Sequence, residues 1–150
     1  MGDIPKGIES GLIETIVVSV LLLVQQMSGL APEFTLITWL NWSVGMYDLP
    51  IMGWVLHFII GAGLWGASFA AFSPHLYGPH WVRGSTFGCV TWFLMMTAFM
   101  SATDLPMFGM GMGLSIPVIA LFYNLAFGLV MGETYHLLLH YVPSEVDENA

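Results

Sequence analysis

Several ionisable side chains lie within or beside long apolar stretches of this sequence, namely Glu14, His57, Glu133, His136 and His140. Burying such a group in hydrocarbon costs on the order of 3 kcal/mol, so each needs a polar partner or water. Glu133 and His136 are three residues apart, which places them on one helix face, and His140 follows a turn later. The spacing predicts a polar cluster, hydrogen-bonded or proton-carrying, in which Glu14 pairs with His136.

The Glu-x-x-His spacing of Glu133 and His136 also occurs in di-iron helix bundles. That chemistry needs a second such motif, and the sequence has none. A di-iron site is therefore not predicted.

His57 stands apart from this cluster, because it falls near the opposite end of the bundle from His136. That depth excludes a haem held between the two histidines. A single histidine contact with haem, a chlorophyll-type pigment or a quinone stays open, although no cofactor is required. The alternative is an imidazole that donates a hydrogen bond to a neighbouring helix.

Methionines form a third group of residues that could take part in binding chemistry. Met107, Met110 and Met112 alternate with glycines in a short stretch, and thioether sulfurs are ligands that Cu(I) accepts. Methionine is also a common filler of irregular apolar gaps, and no His or Cys reinforces this stretch. These three methionines thus have two possible roles: ligands of a Cu(I) site, or members of a flexible glycine-rich turn.

The composition of the chain indicates the kind of structure in which these residues lie. The chain has 150 residues, of which 57% are hydrophobic and 8% charged, against about 25% charged in soluble domains. Its basic residues are Lys6 and Arg83, too few to cover a soluble surface. Lipid is therefore the expected covering. The formal net charge of -8 excludes a nucleic-acid partner.

We predict an all-α membrane protein with four transmembrane helices in a single domain. Crossing the bilayer takes about 20 mostly apolar residues, and stretches at about 8–28, 51–73, 84–102 and 113–139 meet that requirement. Residues 31–48, rich in Trp and Tyr, are predicted to form an interfacial segment between the first and second spans. Residues 141–150 form an acidic tail.

The orientation follows from Lys6 and Arg83, because cytoplasmic loops retain basic residues. With four spans both fall on one side, together with the two termini. The N- and C-termini are therefore predicted to be cytoplasmic, and no cleaved signal peptide is expected.

Small residues predict helix packing in two spans. Ala62, Gly66 and Ala70 recur every fourth residue in the second span, and Gly128 and Gly132 have the same spacing in the fourth. Small side chains let two helix backbones approach closely, which drives association in lipid. These faces are expected to contact helices of the same chain or of a partner.

Short sequences along the first half carry a family resemblance. They are Gly11-Leu12-Ile13-Glu14-Thr15, then Gly29-Leu30-x-Pro32, then Gly53-Trp54-x-x-His57-Phe58-x-x-Gly61 with Gly66. With these residues the chain resembles an uncharacterised bacterial family of small four-span inner-membrane proteins. The resemblance implies that architecture and a location in the bacterial inner membrane. It implies no activity and no functional residue.

No complete catalytic signature is present, so an enzyme is not expected. The sequence lacks a phosphate-binding glycine loop, a His-Glu-x-x-His motif and a Ser/His/Asp set at a common depth. The leading hypothesis is an accessory subunit that packs against other integral membrane subunits of a larger complex, plausibly respiratory (electron transport) or photosynthetic. The alternative is a small membrane transporter or a protein that binds Cu(I) or a cofactor.

Overall fold

The computed structural model describes residues 2–29, 35–99, 108 and 113–140. Their regular structure is entirely helical. Five helical elements follow in chain order: α1 (Ile4–Ser28), α2 (Leu36–Ser43), α3 (Pro50–His75), α4 (His80–Leu94, continued by a π-helical Met95–Phe99) and α5 (Ser115–His140). The predicted tail, and Met107, Met110 and Met112, lie outside the described residues.

The bounds of α1 follow from its terminal residues. Asp3 caps the helix, its carboxylate accepting from the backbone amide of Lys6 at 3.1 Å, and Pro5 lies in the first turn, where a missing amide proton costs little. Gly29 ends the helix in the left-handed conformation with φ 70°. The helix therefore begins one turn earlier than its apolar run indicates.

Two helices change their winding part-way along. In α3 the α-helical Pro50–Phe58 is followed by a π-helical Ile59–Trp65, and α-helix resumes at Gly66–Phe72 before a 3₁₀ turn at Ser73–His75. In α4 the π-helical segment is Met95–Phe99. Such segments are rare and often occur at functional sites. In α3 the π-helical segment faces the cavity described below.

Contacts between the helix ends give the direction of each element. The backbone amide of Asp3 donates to the Tyr135 hydroxyl at 2.8 Å, and the His80 ring stacks on His136. The starts of α1 and α4 and the end of α5 therefore share one end of the bundle. At the other end α2 packs Trp39 and Leu40 against α4 and α5.

Glycine brings neighbouring helices together at two crossings. A Cβ at Gly7 or Gly11 of α1 would meet α3 at Gly66, Ala70 and Ala62. In the second crossing, Gly84 and Gly88 of α4 lie against the backbone of α5 at Gly128, Gly132 and Asn124. The residues predicted from small-residue spacing thus lie at contacts between helices of this same chain.

The exterior of the bundle is apolar, while α1 turns polar residues inward. Large apolar side chains such as Val24, Ile51 and Phe122 are more than half exposed, whereas Ser10 and Thr15 are fully buried. Three helices are long and apolar enough to cross a membrane: Ile4–Ser28, Pro50–His75 and Ser115–His140. This distribution is that of a protein in contact with lipid.

Candidate functional site

A partly enclosed cavity of about 110 Å³ lies inside the bundle. α3 and α4 meet beside it through the aromatic side chains of Trp65, Phe69 and Phe87. All five helices contribute to the walls, which are mostly apolar with a few polar groups. The polar or ionisable groups are Glu14, Thr15, Gln25, His57, Thr91, Tyr123 and Asn124.

Glu14 supplies the carboxyl group of this cavity. It is 1% exposed, and the hydroxyl of Thr15 lies 3.2 Å from one of its oxygens. The same hydroxyl lies 2.7 Å from the carbonyl of Gly11. Thr15 itself lies against Gly61 of α3, where a Cβ would collide with the threonine side chain. The absence of a side chain at Gly61 therefore lets α1 present Glu14 and Thr15 next to the π-helical segment.

His57 faces the same cavity from α3 and is tied to α1. Its Nε2 lies 3.2 Å from the Ser19 hydroxyl, which in turn donates to the carbonyl of Thr15 at 2.7 Å. Because the single hydroxyl proton of Ser19 is used in that bond, Nε2 is the donor to the Ser19 oxygen. The imidazole therefore holds α3 against α1.

Thr91 and Asn124 contribute the polar groups of α4 and α5. The Thr91 hydroxyl lies 3.0 Å from the Asn124 side-chain oxygen and 2.9 Å from the Gly88 carbonyl, and can donate to one of them at a time. The Asn124 amide donates to the Ala120 carbonyl at 2.8 Å. The bond from Thr91 to Asn124 thus joins α4 to α5 at the cavity wall.

A second cavity, of about 160 Å³, lies beyond Leu22, Gln25 and Leu36, which border both cavities. Asn41 of α2 lines it, and its side-chain oxygen is buried with no hydrogen-bond partner in the described part of the chain. A buried amide oxygen normally accepts a hydrogen bond. This end of the bundle therefore offers an acceptor to water or to a ligand.

The predicted polar cluster is divided between two places. Glu133 accepts from His80 Nε2 at 3.0 Å, and the rings of His80 and His136 stack with centroids 4.0 Å apart. The His140 ring lies 4.2 Å from that of His136. Glu14, the predicted partner of His136, lies elsewhere, in the cavity, and His136 stacks on His80 instead.

Metal binding is not favoured by these groups as they stand. Within residues 2–29, 35–99, 108 and 113–140, no three His, Cys, Asp or Glu side chains are arranged to hold a metal ion. The Cu(I) prediction at Met107, Met110 and Met112 concerns residues outside these ranges. It stays a prediction.

Sequence reasoning missed several polar residues of the site, namely Thr15, Ser19, Thr91 and Asn124. A signal existed for α1, because the pairs Ser10/Glu14 and Thr15/Ser19 are each four residues apart, a helical spacing, in a mainly apolar run. His80 was also missed as a partner of Glu133, since it follows Pro79 in a stretch that reads as a turn. Thr91 and Asn124 carry no comparable signal.

Comparison with known proteins places the chain in a family. The family described as "Family of unknown function (DUF6789)" matches residues 1–145. The chain belongs to this family. No curated protein and no solved structure matches it. Membership in this family assigns no activity, so the function has to be argued from the cavity.

Proposed function

We propose that this member of the family is an integral membrane protein that binds a small, mainly apolar molecule in the cavity between its helices, as a binding protein or a carrier. The observation that carries this proposal is the cavity itself, whose apolar walls surround Glu14, Thr15 and Thr91. Apolar cavities with a few convergent polar groups are the usual form of small-molecule sites.

The size of the cavity limits its occupant. A closed cavity of about 150 Å³ holds benzene, so about 110 Å³ in a partly open cavity fits a single ring or a group of that size. A haem or chlorophyll-type macrocycle is much larger, and the Nε2 of His57 already donates to Ser19. A quinone remains compatible, with its ring inside and its tail outside.

We further propose four membrane spans, with α4 as the additional one. Its support is the close packing of α4 along α5, where Gly84 and Gly88 lie against Gly128. Together α4 and its π-helical extension run beside a helix of membrane-spanning length. Two predictions stay open: the bacterial inner membrane, which the family resemblance implies, and cytoplasmic termini, which Lys6 and Arg83 support.

Thiol labelling tests this topology. In a Cys89→Ser background, Tyr47→Cys before α3 and Leu114→Cys before α5 are expected to react with a membrane-impermeant maleimide in intact cells. Tyr77→Cys, between α3 and α4, is expected to react only after the membrane is disrupted. All three positions are well exposed, with relative areas of 68%, 71% and 95%. Labelling of Leu114→Cys and Tyr77→Cys from the same side would contradict four spans.

Filling the cavity tests the binding function. Ala120 is 3% exposed and lines the cavity, so Ala120→Leu should occupy part of the space. We expect fluorobenzene to give a bound resonance in fluorine NMR of the wild-type protein in lipid nanodiscs. The dissociation constant, obtained by titrating that resonance, should rise by about tenfold in Ala120→Leu, which corresponds to about 1.4 kcal/mol of binding free energy.

Ala71→Leu is the matched control, because the same change there falls on an exposed position of α3. It is expected to leave the bound resonance unchanged. A spectrum of the wild-type protein identical to that of empty nanodiscs would refute the proposed function. Equal weakening by both variants would place the bound probe outside this cavity.

The accessory-subunit hypothesis remains a second proposal. It rests on close-packing helix faces, little mass outside the apolar spans and no complete catalytic signature. Of the small residues on those faces, Gly66, Ala70, Gly128 and Gly132 lie at contacts within this chain. The exposed apolar exterior is left for lipid or for another membrane subunit. Electron transport and photosynthesis remain hypotheses without a supporting contact.

A further inference from the structure

The charge inventory of the chain leaves Glu14 without a basic partner. The sequence has two Lys and Arg residues in total. Lys6 lies 3.9 Å from Asp3, and the Nε of Arg83 donates to the carbonyl of Gly78 at 2.8 Å. Neither of them lines the cavity. A negative charge on this buried carboxyl is therefore not balanced by either basic residue, so another cationic group has to balance it.

Part of the wall of this cavity is aromatic. Trp39, Trp65, Tyr123 and Phe127 line the same cavity as Glu14. The face of an aromatic ring attracts a cation, and a carboxylate adds direct charge pairing. A carboxylate would repel an anionic ligand, and no Lys or Arg side chain lines the cavity to pair with one.

From this juxtaposition the geometry points to an apolar organic cation, such as a single-ring amine or quaternary ammonium, as the ligand of the cavity, with Glu14 as its counter-ion. This inference rests on the proposed function and names its ligand class. The apolar part of the ligand lies among Val18, Leu40 and Ile60, and the cationic centre lies at the carboxylate.

The same arrangement couples the ligand to a proton. When Glu14 is protonated before binding, its O–H bond breaks as the cation binds, the proton passes to solvent, and the ligand pairs with the resulting carboxylate. One cation enters for each proton released, so the charge in the cavity is conserved. His57 and Tyr123 are the other titratable groups that line it.

A matched pair of probes tests the charge requirement. The 4-fluoro derivative of benzylammonium and that of ethylbenzene have the same shape, because a methyl carbon replaces the ammonium nitrogen. Fluorine NMR in nanodiscs reports the bound fraction of each. We expect the wild-type protein to bind the cation at least about tenfold more tightly than its neutral analogue.

Glu14→Gln keeps the shape of the side chain and removes its charge. It should weaken binding of the cation by about tenfold and leave the neutral analogue unchanged. Glu9→Gln is the matched control on the same helix, where the side chain is exposed, and should change neither. Glu14→Asp, which retains the charge, should keep the preference for the cation and guards against a fold defect in Glu14→Gln.

A pH series provides a second readout. Cation binding should weaken as the pH falls in the wild-type protein, and this dependence should be lost in Glu14→Gln. A dependence that persists in Glu14→Gln would assign the effect to His57 and overturn the role of Glu14.

Equal binding of both probes, or cation binding unaffected by Glu14→Gln, would also overturn the inference while leaving the binding function intact. If these probes and fluorobenzene all fail to bind, the proposed function itself fails.

Discussion

Replacing Phe69 by alanine is expected to lower the free energy of unfolding by about 2–4 kcal/mol, somewhat less than in a soluble core because the unfolded side chain also lies in lipid. Phe69 is 1% exposed. Its ring packs edge-on against Phe87 and Tyr135, at centroid distances of 5.3 Å and 5.5 Å. Removing it leaves a void where α3, α4 and α5 meet. Denaturant titration in mixed micelles, followed by circular dichroism, measures the loss.

Phe72→Ala provides the matched control. Phe72 lies three residues later on the same helix and is 60% exposed. Its ring contributes little packing, so the variant should unfold within about 0.5 kcal/mol of the wild type. Similar losses in both variants would mean that the aromatic cluster does not hold the three helices together.

Gly84→Ala is expected to separate α4 from α5. A Cβ on Gly84 would collide with the carbonyl oxygen of Gly128, and a Cβ on Gly128 would collide with that of Gly84. Both obstacles are backbone, so neither can move aside without shifting a helix. The expected loss is about 1–3 kcal/mol for either single change, measured by the same titration.

Gly63→Ala separates this effect from the general effect of losing a helical glycine. Within the described part of the chain, a Cβ at Gly63 meets no atom within 4 Å apart from its own turn of helix. Alanine has the better helix propensity, so this variant should be neutral or more stable by up to about 1 kcal/mol. If Gly63→Ala and Gly84→Ala lose stability equally, close packing of α4 on α5 is not the cause.

The apolar stretches were predictable, whereas the beginnings and the winding of the helices were not. Hydropathy placed the first span at residue 8, although Asp3 and Pro5 extend the helix to Ile4. The third span was placed from residue 84, yet α4 begins at His80, next to Pro79. A hydropathy window responds to average composition, so it does not register capping residues. A hydropathy window also does not detect the wider π-helical winding of Ile59–Trp65.

Glu14 and His136 lie apart for a different reason. The sequence places both in the predicted cytoplasmic halves of their spans, but it does not say which neighbouring helix each side chain faces. Glu14 faces the cavity beside Thr15 and Gly61, whereas His136 stacks on His80. The types of residue that carry chemistry were thus predictable, but their partners depended on how the helices pack. Thr91 and Asn124 needed the three-dimensional arrangement.

The bond between Asp3 and Tyr135 joins the first helix to the last, across 132 positions of the chain. The Tyr123 hydroxyl makes a second such link, to the carbonyl of Leu21 at 3.5 Å. During synthesis α1 emerges long before α5 is translated, since chains are made from the N-terminus. The cavity that contains Glu14 therefore gains its α5 wall, with Tyr123 and Asn124, only after α1 to α4 have been made.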